Sequence, residues 1–203
     1  MSKFSRFVVL VTALASLFAV MSSTAGATTW TNTGATSFAA TGPGGILAVT
    51  GSGGTNNLTC TGATATGTAA AVFTTVSGTV TFTPCSISGT ATHVACTYTL
   101  TPLTFASGVT TGSAAVTCTA KLAATGTPLC HIAGSTPGHY INPAGSTAGR
   151  LTVTASSSLV VTPETGTGSG SCSSLLGTAS SGFGHLSEQT FTVSGSGPVI
   201  AAD

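Results

Sequence analysis

Charge is almost missing from this chain. Lysine and arginine together number four, aspartate and glutamate three, so charged residues make up 3% of 203 positions, against about 25% in an ordinary globular domain. Two of the four basic residues, Lys3 and Arg6, sit at the very start. Beyond them stand only Lys121, Arg150, Glu164, Glu188 and Asp203. Each shortage excludes something. Nucleic-acid binding needs clustered Lys and Arg to displace counterions, and two basic residues make no patch. Anionic membranes are excluded on the same ground. A calcium site needs several carboxylates converging. Disorder driven by charge repulsion needs high net charge and low hydrophobicity, and neither applies. Aromatic residues are also scarce, with one Trp and two Tyr, so no aromatic platform for carbohydrate is evident.

Long apolar runs are missing too, apart from one. Phe7 to Val20 is mostly apolar, follows Lys3 and Arg6, and leads to Ala25-Gly26-Ala27. This is the pattern of an export signal with an A-x-A cleavage site, and the run is shorter than the ~20 residues of a membrane span. The expected organisation is a signal peptide over 1–27 and a single secreted domain over 28–203, with no membrane attachment in the mature form.

What is present is cysteine, threonine and alternation. All six cysteines (Cys60, Cys85, Cys96, Cys118, Cys130 and Cys172) fall in the exported part. An even count in a secreted chain reads as three disulfides, with fifteen possible connectivities. Local closure favours Cys85–Cys96 and Cys118–Cys130, each flanking a probable hairpin, and leaves Cys60–Cys172.

Apolar residues recur with period two. "HVACTYTLT" sets Val94, Cys96, Tyr98 and Leu100 against Ala95, Thr97, Thr99 and Thr101. "SAAVTCTAKL" sets Ala114, Val116, Cys118, Ala120 and Leu122 against Ala115, Thr117, Thr119 and Lys121, and "GTVTFTP", "RLTVTA" and "TFTVSG" repeat the theme. One apolar face and one threonine face mark half-buried antiparallel strands. Further strands are expected near 36–40, 46–50, 57–61, 70–76 and 158–162, separated by Gly/Pro/Asn/Ser clusters. The expected fold is all-β: an antiparallel β-sandwich, or a barrel-like relative, of about ten short strands with three disulfides. "CSSLLGTAS" at 172–180 is the one plausible helical turn, and "PETGTGSGS" at 163–171 the loosest segment.

The most reactive stretch is "PLCHIAGSTPGHYINPAG", which carries Cys130, His131, His139 and Tyr140. His131, His139 and Tyr140 are the candidate site. Their spacing matches no standard zinc pattern, and a disulfide at Cys130 would remove the thiolate ligand. The expected reading is therefore a surface loop rooted by a disulfide, with no metal and no cofactor. His185 and Glu188 in "GFGHLSEQ" form a possible base with its orienting carboxylate, but no G-x-S-x-G nucleophile elbow accompanies them. Glu164 and Glu188 are the only internal pair for glycoside hydrolysis. The recurrent T-x-T dipeptides at 79–83, 97–101 and 117–119 allow an ice-binding face, although no fixed repeat holds them in register.

The combination of "TCTGATATGT", "VTFTPC" and "CTYT" resembles uncharacterised secreted proteins of actinobacteria that share Thr/Ala/Gly-rich strands and paired cysteines, a group with no established activity to carry over. The composition is also similar to secreted β-sandwich apoproteins that hold apolar antibiotic chromophores, without a matching binding motif. The function expected is that of a non-catalytic, adhesin-like extracellular or cell-surface protein that contacts an unknown surface or protein partner, or itself. The alternative is a carrier of a small apolar ligand in a pocket walled by Phe73, Phe82, Tyr98 or Phe191. A hydrolase or an ice-binding protein ranks behind both.

Overall fold

The computed structural model describes residues 29–164 and 170–202. The expected signal peptide lies outside the described residues, as does 165–169 within the Gly/Ser-rich stretch.

The threonine-alternating segments become the walls of a barrel. Four walls are continuous strands: β7 (Val76–Ile87), β8 (Thr90–Ala106), β9 (Val109–Leu122) and β10 (Pro128–Ile141). Along β8, buried and exposed residues alternate without a break from Thr92 to Pro102. Ser88–Gly89 and Ser107–Gly108 join β7 to β8 and β8 to β9. All four of these residues have positive φ, the geometry of a type I′ turn, whose twist matches that of the flanking strands.

The other four walls are each broken at mid-length. They are β2 (Ser37–Gly42) with β3 (Gly45–Gly51), β4 (Gly54–Cys60) with β5 (Ala63–Thr68), β11 (Arg150–Val153) with β12 (Ser156–Pro163), and β13 (Gly182–Leu186) with β14 (Gln189–Val193). Each wall is antiparallel to the one before it, and the last returns to the first through β14–β2 and β13–β3. The result is an up-and-down barrel of eight walls. The expected antiparallel all-β fold is present, with the walls longer and the sheet fully closed.

Closure depends on two changes of partner. β7 pairs with β5 as far as Phe82 and with β4 from Cys85 onward, and its irregularity falls at Thr83–Pro84. β10 pairs with β12 over Cys130–Ala133 and with β11 over Gly138–Ile141. Between them the Pro137 carbonyl accepts the Thr154 N–H at 2.9 Å. Proline has no N–H for a ladder, so it suits a point where pairing changes hands.

Both ends are plugged. At one end β1 (Trp30–Asn32) pairs with β15 (Ile200–Ala202) and β6 (Val72–Phe73), burying Trp30, Phe73 and Ile200. Asn32 ties this small sheet down. Its amide donates to the carbonyls of Ala35 and Ala69, and its Oδ1 accepts from Gly34 and Val199. At the other end α1 (Gly170–Leu176) buries Cys172, Leu175 and Leu176 completely. The Leu176 carbonyl accepts the Ser52 N–H at 3.0 Å, and any Cβ at Gly51 would collide with it.

The disulfides are Cys60–Cys85, Cys96–Cys118 and Cys130–Cys172, which corrects the pairing expected from the sequence. Register decides it, and proximity along the chain does not. Cys96 stands directly opposite Cys118, and Cys60 opposite Cys85. Cys85 instead faces Thr92 and Cys130 faces Ala120, so neither Cys85–Cys96 nor Cys118–Cys130 is in register. Cys172 reaches Cys130 because α1 folds under the barrel, and Cys60 is thereby left to Cys85. The stretch around His131 and His139 is also corrected. It is rooted by a disulfide as expected, but it forms β10, a wall of the barrel, and no loop.

Peptide mapping without reduction is expected to recover these three linked pairs, with no alkylation of the native chain until it is reduced. The third bridge has a sequence separation of 42. Removing it with Cys130→Ala and Cys172→Ala is expected to lower stability by roughly 3–4 kcal/mol, read from the urea midpoint.

Candidate functional site

Strand geometry scatters the reactive side chains. His131 and His139 both point outward from β10, half-buried, and eight steps along the strand separate them by roughly 26 Å. They cannot share a ligand. His131 lies between Thr119 and Thr162, and His139 between Thr111 and Thr152. Tyr140 points inward, where its hydroxyl donates to the Pro198 carbonyl at 2.8 Å and anchors the β15 end. His185 is exposed on β13 opposite Ala48, and Glu188 is exposed where β13 passes to β14. Glu164 belongs to the helix end of the barrel, away from that junction at its waist. Among the described residues no three His, Cys, Asp or Glu side chains group as a metal site.

The outer face of β5, β7, β8 and β9 is ordered and neutral. Thr66 pairs with Thr79, Thr79 with Thr97, and Thr97 with Thr117, which makes one row of four threonines. Thr68, Ser77 and Thr99 form the next row. The Thr66 and Thr79 hydroxyls hydrogen-bond at 3.0 Å. At the helix end of this face His93 stands opposite Lys121, and between those two and Thr101 the outward side chains of β8 and β9 are Thr, Ser and Ala. Elsewhere on the outside, Phe183 on β13 is 70% exposed beside its partner Val160.

The interior is apolar and not quite full. A cavity of about 60 Å³ lies at the waist, walled by Val80, Phe82, Tyr98, Leu151, Gln189 and Phe191 among others. A second of about 50 Å³ adjoins it toward the helix end and shares Phe82, Val116, Leu186 and Gln189. A third, of about 20 Å³, leads from Tyr98, Leu100 and Leu151 to Pro198 and Ile200 at the sheet plug. Phe82, Tyr98 and Phe191 wall this space, whereas Phe73 belongs to the plug. Gln189 belongs to no motif that marks it in the sequence. The signal that finds it is alternation, which carried back from Val193 and Phe191 places it on the inner face.

Large inner side chains are accommodated by inward glycines. A Cβ at Gly78 would lie 2.6 Å from the Tyr98 hydroxyl, and one at Gly67 2.9 Å from it. That hydroxyl is buried and has no hydrogen-bond partner among the described residues. Burial pushes the Tyr98 and Tyr140 hydroxyls up to about 12 from 10.

The chain matches no family model, no curated protein and no solved structure. No helix among the described residues is long and apolar enough to cross a membrane, and three disulfides are consistent with an oxidising, extracellular compartment.

The two tyrosines are expected to behave oppositely. Tyr140→Phe removes a made bond and strands the Pro198 carbonyl, at a cost of about 1 kcal/mol or more. Tyr98→Phe deletes an unpaired hydroxyl and is expected to leave the thermal midpoint unchanged or higher. Both hydroxyls hold their protons more tightly folded than unfolded. Their contribution is therefore complete below pH 10 and is lost as pH rises from 10 to about 12. With no other tyrosine in the chain, an absorbance titration at alkaline pH reads these two alone.

Proposed function

We propose that this chain is a non-catalytic, secreted, adhesin-like protein whose working surface is the outer face of β5, β7, β8 and β9. The row Thr66–Thr79–Thr97–Thr117 carries the reading. It offers methyl groups and hydroxyls at the strand spacing of about 4.8 Å and carries no charge. Such a face makes contacts by hydrogen bonds and apolar packing with another uncharged surface, a second copy of the chain included. Little electrostatic repulsion keeps like copies apart. Strand addition at a free edge is not the mechanism, because the barrel walls are paired on both sides. Ice is a poorer partner than a yielding surface. Neighbouring strands rotate by about 20–25°, so the row turns across the barrel and matches no flat lattice.

The test is binding of the purified protein to intact cells and isolated cell wall of its source organism, with sedimentation across a wide concentration range. Binding or self-association is expected to change little between low and high salt, unlike a charge-driven contact. Thr79→Lys with Thr117→Lys, separated by the β8 wall, is expected to weaken it at least tenfold, while the thermal midpoint stays close to that of the parent. A protein that binds neither material and stays monomeric throughout would sink the reading.

A further inference from the structure

The inner face has its own chemistry, independent of the outer one. Gln189 is 4% exposed and its side chain lines both waist cavities. Its amide has no hydrogen-bond partner among the described residues, in a space otherwise walled by aliphatic and aromatic groups. Leaving such a group unpaired in an apolar interior is disfavoured. Space has nonetheless been made for it, because a Cβ at Gly45, across the barrel wall, would collide with the amide. Tyr98, whose hydroxyl is also unpaired among the described residues, contributes to the wall of the first cavity. Phe82 and Phe191 stand edge-on to each other at 6.4 Å and form part of its wall.

We propose that the waist of the barrel is a binding site for one compact, uncharged, mainly apolar molecule with a single hydrogen-bonding group, and that the Gln189 amide is its polar contact. Size sets the class. The two cavities total on the order of 100 Å³, approaching the ~150 Å³ apolar cavity that takes up benzene, so the ligand has about the bulk of one six-membered ring. Polarity sets it too. No charged side chain lines either cavity, and a buried ion without a partner is strongly disfavoured. A phenol or a small cyclic alcohol fits; a carboxylate does not. The third cavity extends the space toward the sheet plug, which is held without a covalent bond. The helix plug is tied by Cys130–Cys172, so exchange runs through the sheet end.

The experiment is an NMR titration of the full chain with phenol, benzene and benzoate, equilibrated for a day and followed at the Gln189 side-chain amide and the methyl groups of Val80, Val116 and Leu186. Phenol and benzene are expected to shift these signals saturably, phenol roughly fivefold more tightly, and benzoate to leave them unmoved. Gln189→Leu is expected to bring phenol down to the affinity of benzene while benzene still binds. Ala114→Leu, which fills the first cavity, is expected to abolish both. If that variant does not fold, Val80→Ile narrows the same wall and is expected to weaken both. No interior shift up to the solubility limit of phenol and benzene, or shifts confined to surface residues, would overturn the site. So would a long-lived water held at Gln189 that neither molecule displaces. Equal phenol affinity in the parent and Gln189→Leu would overturn the role of Gln189, and benzoate uptake would overturn the uncharged class. Loss of surface binding bears on none of these outcomes, because the residues tested point inward.

Discussion

Main-chain pairing in this protein closes on itself because β7 and β10 each change neighbours halfway along. Without those two changes, the broken walls would sit on only one half of the long strands and leave a row of bare N–H and C=O groups beside the other half. Charged side chains, lysine above all, are one common protection of such an edge. A chain with 3% charged residues has little to place there. Closure gives the protection instead. Thr83–Pro84 and Gly134–Pro137 hand each long strand from one partner to the next, and both open sides are filled.

A closed barrel then has to be filled, and this one is filled from a small vocabulary. Ala63, Ala65, Ala114 and Ala120 face inward together with glycines. Bulk is concentrated in Tyr98, Phe82, Phe191 and a few leucines that reach across to those small residues. Such a pairing of large with small packs well only where each large side chain meets its gap. Gly67 and Gly78 receive Tyr98, and Gly42 lies against Phe191. At the waist, where the broken walls turn, the match is incomplete and the cavities remain. Two of the three disulfides join directly opposed strand residues. They hold neighbouring walls in register, so the barrel does not collapse to close these gaps.

Much of the fold is legible in the sequence because period-two alternation is a local property. The inner faces of β8 and β9 can be written down from Val94–Leu100 and Ala114–Leu122 alone. Register is not local in the same way. The turn at Ser107–Gly108 by itself would place Cys96 opposite Thr119. The bulge between Pro102 and Thr104 shifts the pairing by one residue and brings Cys118 into place. A single extra residue, Leu103, therefore decides a disulfide, and nothing in composition marks it. The His131–Tyr140 stretch misleads for a related reason. Gly134, Pro137 and Gly138 read as a turn, yet here they mark the change of partner within a continuous strand. The threonine rows become evident only once register is known, because their order is a property of neighbouring strands and not of any one segment.

The same alternation divides the molecule into two independent chemistries. Outward positions need affinity for water without charge, and threonine supplies it while keeping the β-branched shape that strands favour. Inward positions need bulk, and the few polar groups admitted there stand out against it. Gln189 and Tyr98 are costly for a purely structural core, since leucine or phenylalanine would fill the same volume without an unpaired polar atom. Tyr140 and Asn32, near the sheet plug, are by contrast used in holding it. The contrast separates polar groups that the fold consumes from those that it leaves open: Gln189 and Tyr98 line the waist cavities, and the buried Thr92 and Thr110 hydroxyls lie toward the two ends.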